Sequence, residues 1–302
     1  MSLIGFKAIS PVFGAIVEGF DVKDVPTSVK LALNDALDRF GVLVFPNLEL
    51  SDSQQIELAK VFGEPSKRSR PSADRAEQSP YADYMGLVTN VRRDGIPIGS
   101  LPDGEMWLHH DGCFMDEPYR ATILYAVEVT SVGGETRFVD MRAVFRSLSE
   151  DLVSRIKYLR GTHSFDYRNI AARPSRGSSS DNTKSATHPS VIMHPNSNEP
   201  ALYLNPLCTV RLDGEGSNPS DNENLLDLLF EAIDQSTATF SHRWTKGDLV
   251  IWDNWSTCHA RNDFPAGETR MLRRNIIKGQ TLDAYFKKPR NHRYGQNGSV
   301  YR

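Results

Sequence analysis

Short apolar runs of the kind that form β-strands recur along almost the whole chain, and they limit the folds open to it. The clearest lie at 42–45, 121–127, 190–193, 201–204, 247–252 and 271–278, each next to turn-forming residues. Helical spacing of apolar residues is confined to 27–40, 51–62, 140–159 and 222–233. For the first of these helices, Thr27 or Ser28 is the expected N-cap and Gly41 the expected stop. Because these elements show no regular βαβ alternation, the pattern predicts a mainly β barrel or sandwich with helical decoration.

The domain organisation is less constrained, since 302 residues suffice for one large domain or two small ones. We expect a single domain over 1–302 with an N-terminal α/β portion at about 1–64. A Ser-rich stretch at about 173–187 is predicted to be a flexible insertion. The polar segment at 66–101, with Lys67, Arg68 and Arg70, is either a solvated loop or a lid, and the insertion is a second lid candidate.

Charge and composition indicate which partners suit the chain. A formal net charge of -3 gives no general attraction to nucleic acid or to an anionic membrane, which favours a small-molecule partner. No signal-peptide pattern or membrane-spanning apolar run is visible, so we expect a cytoplasmic protein; a monomer and a homo-oligomer both stay open. The three cysteines, Cys113, Cys208 and Cys258, lack C-x-x-C spacing, and buried free thiols are the simplest interpretation.

A His-x-Asp pair and one distant histidine are the main candidates for chemistry. Residues i and i+2 of a strand point to the same face, so His109 and Asp111 could grip one ion while His110 points away. His259 follows the apolar run at 247–252. Two histidines and a carboxylate form the ligand set of a non-haem Fe(II) centre with open positions. Taken alone, the pair is more typical of an exposed or hydrogen-bonded strand pair than of a metal site.

Four motifs in order strengthen the metal hypothesis: His109-x-Asp111, Gly133-Gly134-Glu135-Thr136, Trp252-Asp253-Asn254 before His259, and Arg270-x-x-x-Arg274. Together they resemble the taurine dioxygenase and 2,4-dichlorophenoxyacetate dioxygenase family of Fe(II)- and 2-oxoglutarate-dependent oxygenases. The resemblance runs over roughly 14–279. It implies a double-stranded β-helix, that is, a jelly-roll, cupin-like core.

The resemblance also implies roles for single residues. His109, Asp111 and His259 match the family's iron ligands, while Thr136 and Arg270 match the residues that hold the distal carboxylate of 2-oxoglutarate. Arg274 matches the position that binds the anionic group of the substrate. The implied reaction uses Fe(II), 2-oxoglutarate and O₂. It hydroxylates a small carboxylate or sulfonate and releases succinate and CO₂, with bond cleavage if the new hydroxyl lies beside a heteroatom.

Departures from the family pattern bear on the substrate. Taurine-specific members have a histidine upstream of the metal-binding pair, whereas no histidine precedes His109 here. Glu105 stands where those members have a substrate-contacting asparagine. Both differences argue against taurine itself. Glu105 is either a substrate contact or a solvated loop residue, and Trp252 either walls the pocket or fills the core. Two other classes stay open at this point: a cupin-like metal-dependent isomerase and a non-catalytic binding protein.

Overall fold

The computed structural model of the chain describes residues 4–11, 13–67, 83–100, 104–165 and 184–287. Within these ranges the helices are α1 (Thr27–Phe40), α2 (Asp52–Ala59), α3 (Met141–Ser147), α4 (Glu150–Ile156) and α5 (Pro219–Asp234). None of the helices in the described part of the chain is long and apolar enough to cross a bilayer. Most of the fold is built from strands.

Two large sheets carry the architecture. A seven-stranded sheet contains β1 (Gly5–Ala8), β2 (Ala15–Glu18), β3 (Val42–Phe45), β4 (Gly86–Thr89), β8 (Ala121–Glu128), β16 (Leu249–Asp253) and β18 (Met271–Ile277). A four-stranded sheet contains β7 (Met106–His109), β9 (Thr136–Asp140), β15 (Thr239–His242) and β17 (Thr257–Arg261). The remaining strands are β5 (Arg92–Arg93), β6 (Ile96–Pro97), β10 (Arg160–Ser164), β11 (Ser185–Pro189), β12 (Val191–Met193), β13 (Pro200–Leu202) and β14 (Thr209–Asp213).

The strand order shows how distant segments meet. The seven-stranded sheet runs β1-β2-β3-β16-β8-β18-β4, and the four-stranded sheet runs β15-β9-β17-β7. The smaller sheets are β11-β10-β14, β12-β13 and β5-β6. Because β7 and β17 are neighbours, residues near 109 and 259 lie side by side despite their distance in the sequence.

Three apolar clusters define the layers. One joins the two large sheets, with Val250 and Leu272 from the larger sheet packed near Phe138 of the smaller. A second packs α1 and α2 onto the outer face of the larger sheet through Leu37 and Leu58. The third packs α5 together with β12, β13 and β14 onto the four-stranded sheet. This sandwich of two sheets with helices outside is the jelly roll that the motifs implied.

Helix boundaries follow local sequence signals, with one exception. Gly41 ends α1 in the left-handed conformation at φ 71° and donates its N–H to Leu37 O, as the sequence predicted. Ser51 caps α2 through a capping box with Gln54. The prediction of a side-chain cap at Thr27 or Ser28 was wrong, because Pro26 precedes α1 without a side-chain hydrogen bond.

The N-terminal portion contains an arrangement that the sequence analysis missed. Strands β2 and β3 pair in parallel, with α1 as the connection between them. This single βαβ unit was not predicted, although the chain as described has no regular βαβ alternation. Since β3 also pairs with β16, the N-terminal portion extends the same sheet that carries part of the site.

The two lid candidates fall partly outside the described residues. Arg68 and Arg70 lie outside them, as does the predicted insertion up to residue 183. Its last residues are described and belong to β11, which pairs with β10. Those residues form a strand, so the flexible insertion was predicted to end too late.

Candidate metal and cosubstrate site

The His-x-Asp pair and the distant histidine converge on one point between the two sheets. His109 and His259 face each other across the β7–β17 pair, with ring centroids 4.1 Å apart. Asp111 Oδ1 lies 3.7 Å from His109 Nε2, and Asp111 Oδ2 lies 3.8 Å from His259 Nε2. One potential ligand atom from each of the three lies within 4.8 Å of the others, a spacing that a single metal ion could bridge.

Asp111 reaches this point by a route that differs from the prediction. Strand β7 ends at His109, so Asp111 lies in the turn that follows rather than in the strand. Gly112 continues the turn with φ 74°, a conformation that glycine adopts without strain. The prediction of an extended His-x-Asp pair was therefore wrong, although both side chains face the same space.

Hydrogen bonds orient the side chains of His109 and Asp111. His109 Nδ1 lies 2.8 Å from Trp107 O. Because a carbonyl oxygen can only accept a hydrogen bond, Nδ1 carries the proton of the neutral ring. The lone pair of Nε2 is therefore free and faces Asp111. Thr122 Oγ1 donates to Asp111 Oδ2 at 2.7 Å. The same hydroxyl oxygen accepts a 3.0 Å hydrogen bond from Asn254 Nδ2, which leaves its own proton for the carboxylate.

Asp253 anchors the turn that carries Asn254. Its carboxylate lies 2.5 Å from Arg120 Nη1 and 2.6 Å from His194 Nε2, and it also accepts from Trp255 N at 2.7 Å. Asp38, His194 and Asp253 form a second group with metal-like spacing. Arg120 pairs with both carboxylates of that group, so a guanidinium supplies its positive charge.

A cavity on one side of the triad holds the residues expected to bind 2-oxoglutarate. The residues that line it are Val88, Met106, His109, Asp111, Leu124, Thr136, Trp252, His259, Arg261, Arg270 and Arg274. Arg270 is only 3% exposed, and its Nη2 donates to Gly134 O at 3.1 Å. Trp244 Nε1 donates to Thr136 Oγ1 at 3.0 Å, so that Thr136 keeps its own proton for another acceptor.

The Gly-Gly motif has a packing reason. A Cβ on Gly134 would lie 2.9 Å from Arg270 Nε, and the φ of Gly134 is 70°. A larger residue would push the guanidinium out of the cavity. The motif therefore lets the backbone approach Arg270 closely enough to hold it.

A second cavity opens on the other side of the triad. Its lining is mostly apolar and aromatic: Ser66, Tyr84, Gly86, Leu87, Val88, Ser100, Met106, His109, His110, Asp111, Gly112, Phe114, Tyr119, Phe165, Cys208, Arg274 and Ile276. Arg274 borders both cavities, and its Nη2 lies 2.8 Å from Asp111 Oδ1. Arg274 and two members of the triad, His109 and Asp111, thus face an apolar space.

The electrostatics of the triad suit a cation. Burial opposes ionisation of Asp111, but Arg274, the two imidazoles and Thr122 outweigh it and hold the pKa of the carboxyl well below its usual range. Burial, together with His109, lowers the pKa of His259 well below its usual value. At neutral pH the site therefore offers an ionised carboxylate and a neutral imidazole, which are the protonation states of metal ligands.

The remaining predicted site residues lie in different surroundings. Trp252 is 1% exposed, and its ring packs against that of His259 with centroids 4.5 Å apart; it lines the cavity of Thr136 and Arg270 and not the second cavity. Glu105 is exposed and is not among the residues that line either cavity, so its contact with substrate stays a prediction. The three cysteines are buried free thiols, as expected.

Sequence reasoning missed several residues that shape the site. Thr122 sits in an apolar strand, where threonine is an ordinary strand former, and no sequence signal sets it apart. Asn254 was part of a motif but had no assigned contact. Arg261 could have been found, because it lies two residues after His259 and therefore on the same face of β17.

The fold and the triad together define a class: jelly-roll metalloenzymes in which two histidines and a carboxylate leave coordination positions open. The model of the family described as taurine catabolism dioxygenase TauD, TfdA family matches residues 5–275, and the chain belongs to this family. It is a 2-oxoglutarate-dependent dioxygenase that uses Fe(II), 2-oxoglutarate and O₂. This finding favours the oxygenase over the isomerase and the binding protein.

Individual relatives support the same class. The chain is 28% identical to (S)-phenoxypropionate/alpha-ketoglutarate-dioxygenase of Sphingobium herbicidovorans, over 88% of this chain and 92% of that protein. It is 29% identical to alpha-ketoglutarate-dependent 2,4-dichlorophenoxyacetate dioxygenase of Cupriavidus pinatubonensis, over 91% and 97%. The crystal structure of a taurine dioxygenase from Burkholderia xenovorans has the same fold, with a TM-score of 0.75 at 24% identity over 92% and 90% of the two chains.

Proposed function

We propose that His109, Asp111 and His259 bind the Fe(II) of this dioxygenase. The donor set fits the ion, because both Nε2 atoms and the carboxylate face one point and the carboxylate is ionised. When bound, Fe(II) supplies the oxidative decarboxylation of 2-oxoglutarate to succinate and CO₂ and the hydroxylation of a substrate C–H bond. Thr122 and Asn254 keep Asp111 turned toward the two imidazoles.

Thr136 and Arg270 bind the distal carboxylate of 2-oxoglutarate in this proposal. Arg270 carries a buried positive charge, and its planar guanidinium can hold a carboxylate through two N–H groups. The hydroxyl of Thr136 adds a third donor. Its oxygen accepts the N–H of Trp244, so its own proton remains available for the carboxylate. The cosubstrate would thus lie with its distal end at the start of β9 and at Arg270, which directly precedes β18, and with its keto acid end at the triad.

The substrate is a small carboxylate or sulfonate that carries an apolar or aromatic body. The observation that supports this most directly is the apolar second cavity with Arg274 at its inner edge. A guanidinium has five N–H donors, more than the contact with Asp111 uses, so Arg274 can also bind an anion. Aromatic side chains such as Phe114 and Phe165, which stack at 5.6 Å, suit an aryl or alkyl group.

The named relatives agree with such a substrate, since two of them act on phenoxypropionate and 2,4-dichlorophenoxyacetate. Hydroxylation beside an ether or ester oxygen gives a product that collapses, so that hydroxylation leads to bond cleavage. Taurine has no apolar body to fill the second cavity. We therefore expect aryloxy or alkyl acids to be better substrates than taurine.

A substrate panel tests this proposal. Aryloxyalkanoates, alkyl sulfates, alkanesulfonates including taurine, and amino acids are compared by O₂ consumption and succinate formation with Fe(II) and 2-oxoglutarate. Each acid that reacts is then paired with its uncharged amide. We expect turnover of the acid only; equal turnover of the amide would contradict an anion site.

Arg274→Met should remove the preference for the acid over its amide. Arg273→Met is the matched control, because Arg273 lies on the opposite face of β18, where it pairs with Asp52. The control should keep the preference. If Arg274→Met keeps it as well, another residue binds the anion.

A further inference from the structure

Arg261 occupies a place in the cosubstrate cavity that the family resemblance did not assign. In the β17–β9 pair it lies directly opposite Thr136, and it shares a face of β17 with His259. It is 6% exposed, and it lines the cavity together with Thr136 and Arg270. Its position thus faces the proposed binding site of the distal carboxylate.

A second observation brings Arg261 and Arg270 together. Both guanidinium groups lie against the ring of Phe264, at 5.5 Å from its centroid for Arg261 and 5.7 Å for Arg270. Burial lowers the pKa of Arg270, and the charge of Arg261 lowers it further. Two buried cations that repel each other are stabilised when an anion lies between them.

The orientation of Arg261 is fixed from the other side. Its Nε donates to Gly104 O at 3.0 Å, and its Nη2 donates to the same oxygen. This contact ties the chain just before β7, which carries His109, to the strand that carries His259. A purely structural role as such an anchor is the alternative that an experiment must separate from ligand binding.

We propose that Arg261 is a second cationic residue of the cosubstrate pocket, and that together with Arg270 it selects a 2-oxo acid that carries a second carboxylate. The proposal rests on the proposed function of Thr136 and Arg270. It adds a specificity-determining residue that is supplied by the metal-bearing strand itself. Charge on both sides of the distal carboxylate would disfavour monocarboxylic 2-oxo acids of the same length.

Two ligands that differ in one group test the proposal. 2-Oxopentanoate has the chain length of 2-oxoglutarate, with a methyl group in place of the distal carboxylate. Their dissociation constants are measured by calorimetric titration of the Fe(II)-loaded protein without oxygen. The readout is the ratio of the two constants, which reports on contacts with the distal carboxylate and is independent of turnover.

Arg261→Met should lower this preference for 2-oxoglutarate about tenfold, the order expected for loss of one charge-assisted hydrogen bond. Arg261→Lys keeps the charge without the planar fork, and we expect it to retain part of the preference; this variant also serves if Arg261→Met does not fold. Arg137→Met is the control, because Arg137 lies on the other face of β9, with its Nη2 bound to Asp234 O. It should leave the ratio unchanged.

The possible results separate the two hypotheses. If Arg261→Met weakens both acids equally, or neither, Arg261 serves only as an anchor and the proposal is wrong. Arg270→Met provides the reference, since it should lower the preference at least as much as Arg261→Met does. If Arg270→Met leaves the preference intact, the proposed cosubstrate site itself is wrong, and a loss seen only with Arg261→Met would place the distal carboxylate on Arg261 alone.

Discussion

Thr122 Oγ1 donates a 2.7 Å hydrogen bond to Asp111 Oδ2, and it links the carboxylate of the triad to the Trp-Asp-Asn motif through Asn254. In the pairing of β8 with β16, Thr122 lies opposite Trp252. This register fixes the distance between Thr122 and the Trp-Asp-Asn motif. The carboxylate is thus oriented by the larger sheet, although its own backbone follows β7 of the smaller sheet. Both sheets contribute to the geometry of one ligand.

Thr122→Val should weaken metal binding by about 10–100-fold, because the shape of the side chain is kept while the hydrogen bond to Asp111 is lost. Thr122→Ser should restore most of the affinity. The measurement is a titration of the apoprotein with Co(II) or Fe(II) in the absence of oxygen. Thr89→Val, at another buried threonine that lines neither cavity, is the control. Equal affinities of Thr122→Val and the unchanged protein would show that Thr122 does not position the ligand.

Trp244→Phe should weaken 2-oxoglutarate binding without affecting metal binding. The substitution removes the N–H that Thr136 Oγ1 accepts at 3.0 Å, so the hydroxyl of Thr136 is free to turn away from the cavity. We expect a loss of about 1 kcal/mol, typical of one neutral hydrogen bond. Calorimetric titration with 2-oxoglutarate gives the value, and an unchanged affinity would mean that Thr136 is oriented by other contacts.

The stability of the protein should depend on Asp253 at acid pH. Burial raises the pKa of Asp253, but Arg120 and His194 outweigh burial, so the net shift in the folded state is downward. A carboxyl with a lowered folded-state pKa stabilises the fold above its unfolded pKa, and that contribution is lost as pH falls. The free energy of unfolding should therefore decline below about pH 4.

Asp253→Asn should reduce that decline and should cost about 1.5–3 kcal/mol at pH 7, because Arg120 and His194 lose a charged partner while Arg120 keeps its pair with Asp38. Urea unfolding at pH 7 and at pH 4 measures both effects. Asp151→Asn is the control, since Asp151 is exposed and forms only a surface pair with Arg155. A variant with the same pH dependence as the unchanged protein would assign the acid sensitivity to other carboxyls.

Local signals in the sequence were sufficient for many elements of the fold. The apolar run of β16 and the stop at Gly41 both depend on neighbouring residues, and both were predicted. The parallel pairing of β2 with β3 depends on the packing of α1 against a sheet completed by β16, far along the chain. No local pattern carries that information.

The site residues also divide into those that the sequence predicts and those that it does not. His109, Asp111 and His259 could be proposed from residue types and family order, but the turn at Gly112 that brings Asp111 to the histidines was not predicted. Thr122 and Trp244 act through hydrogen bonds that link a strand residue to a residue outside that strand. Such contacts depend on the register of the sheets, which the sequence alone does not specify.

In the proposed function, His109, Asp111 and His259 bind the iron that couples 2-oxoglutarate to substrate oxidation. Succinate formation from 2-oxoglutarate, measured with and without Fe(II) in the presence of a responsive acid, tests it directly. The unchanged protein should form succinate only with Fe(II), and His259→Ala should form none. Fe(II)-dependent succinate formation by His259→Ala at the rate of the unchanged protein would contradict the claim.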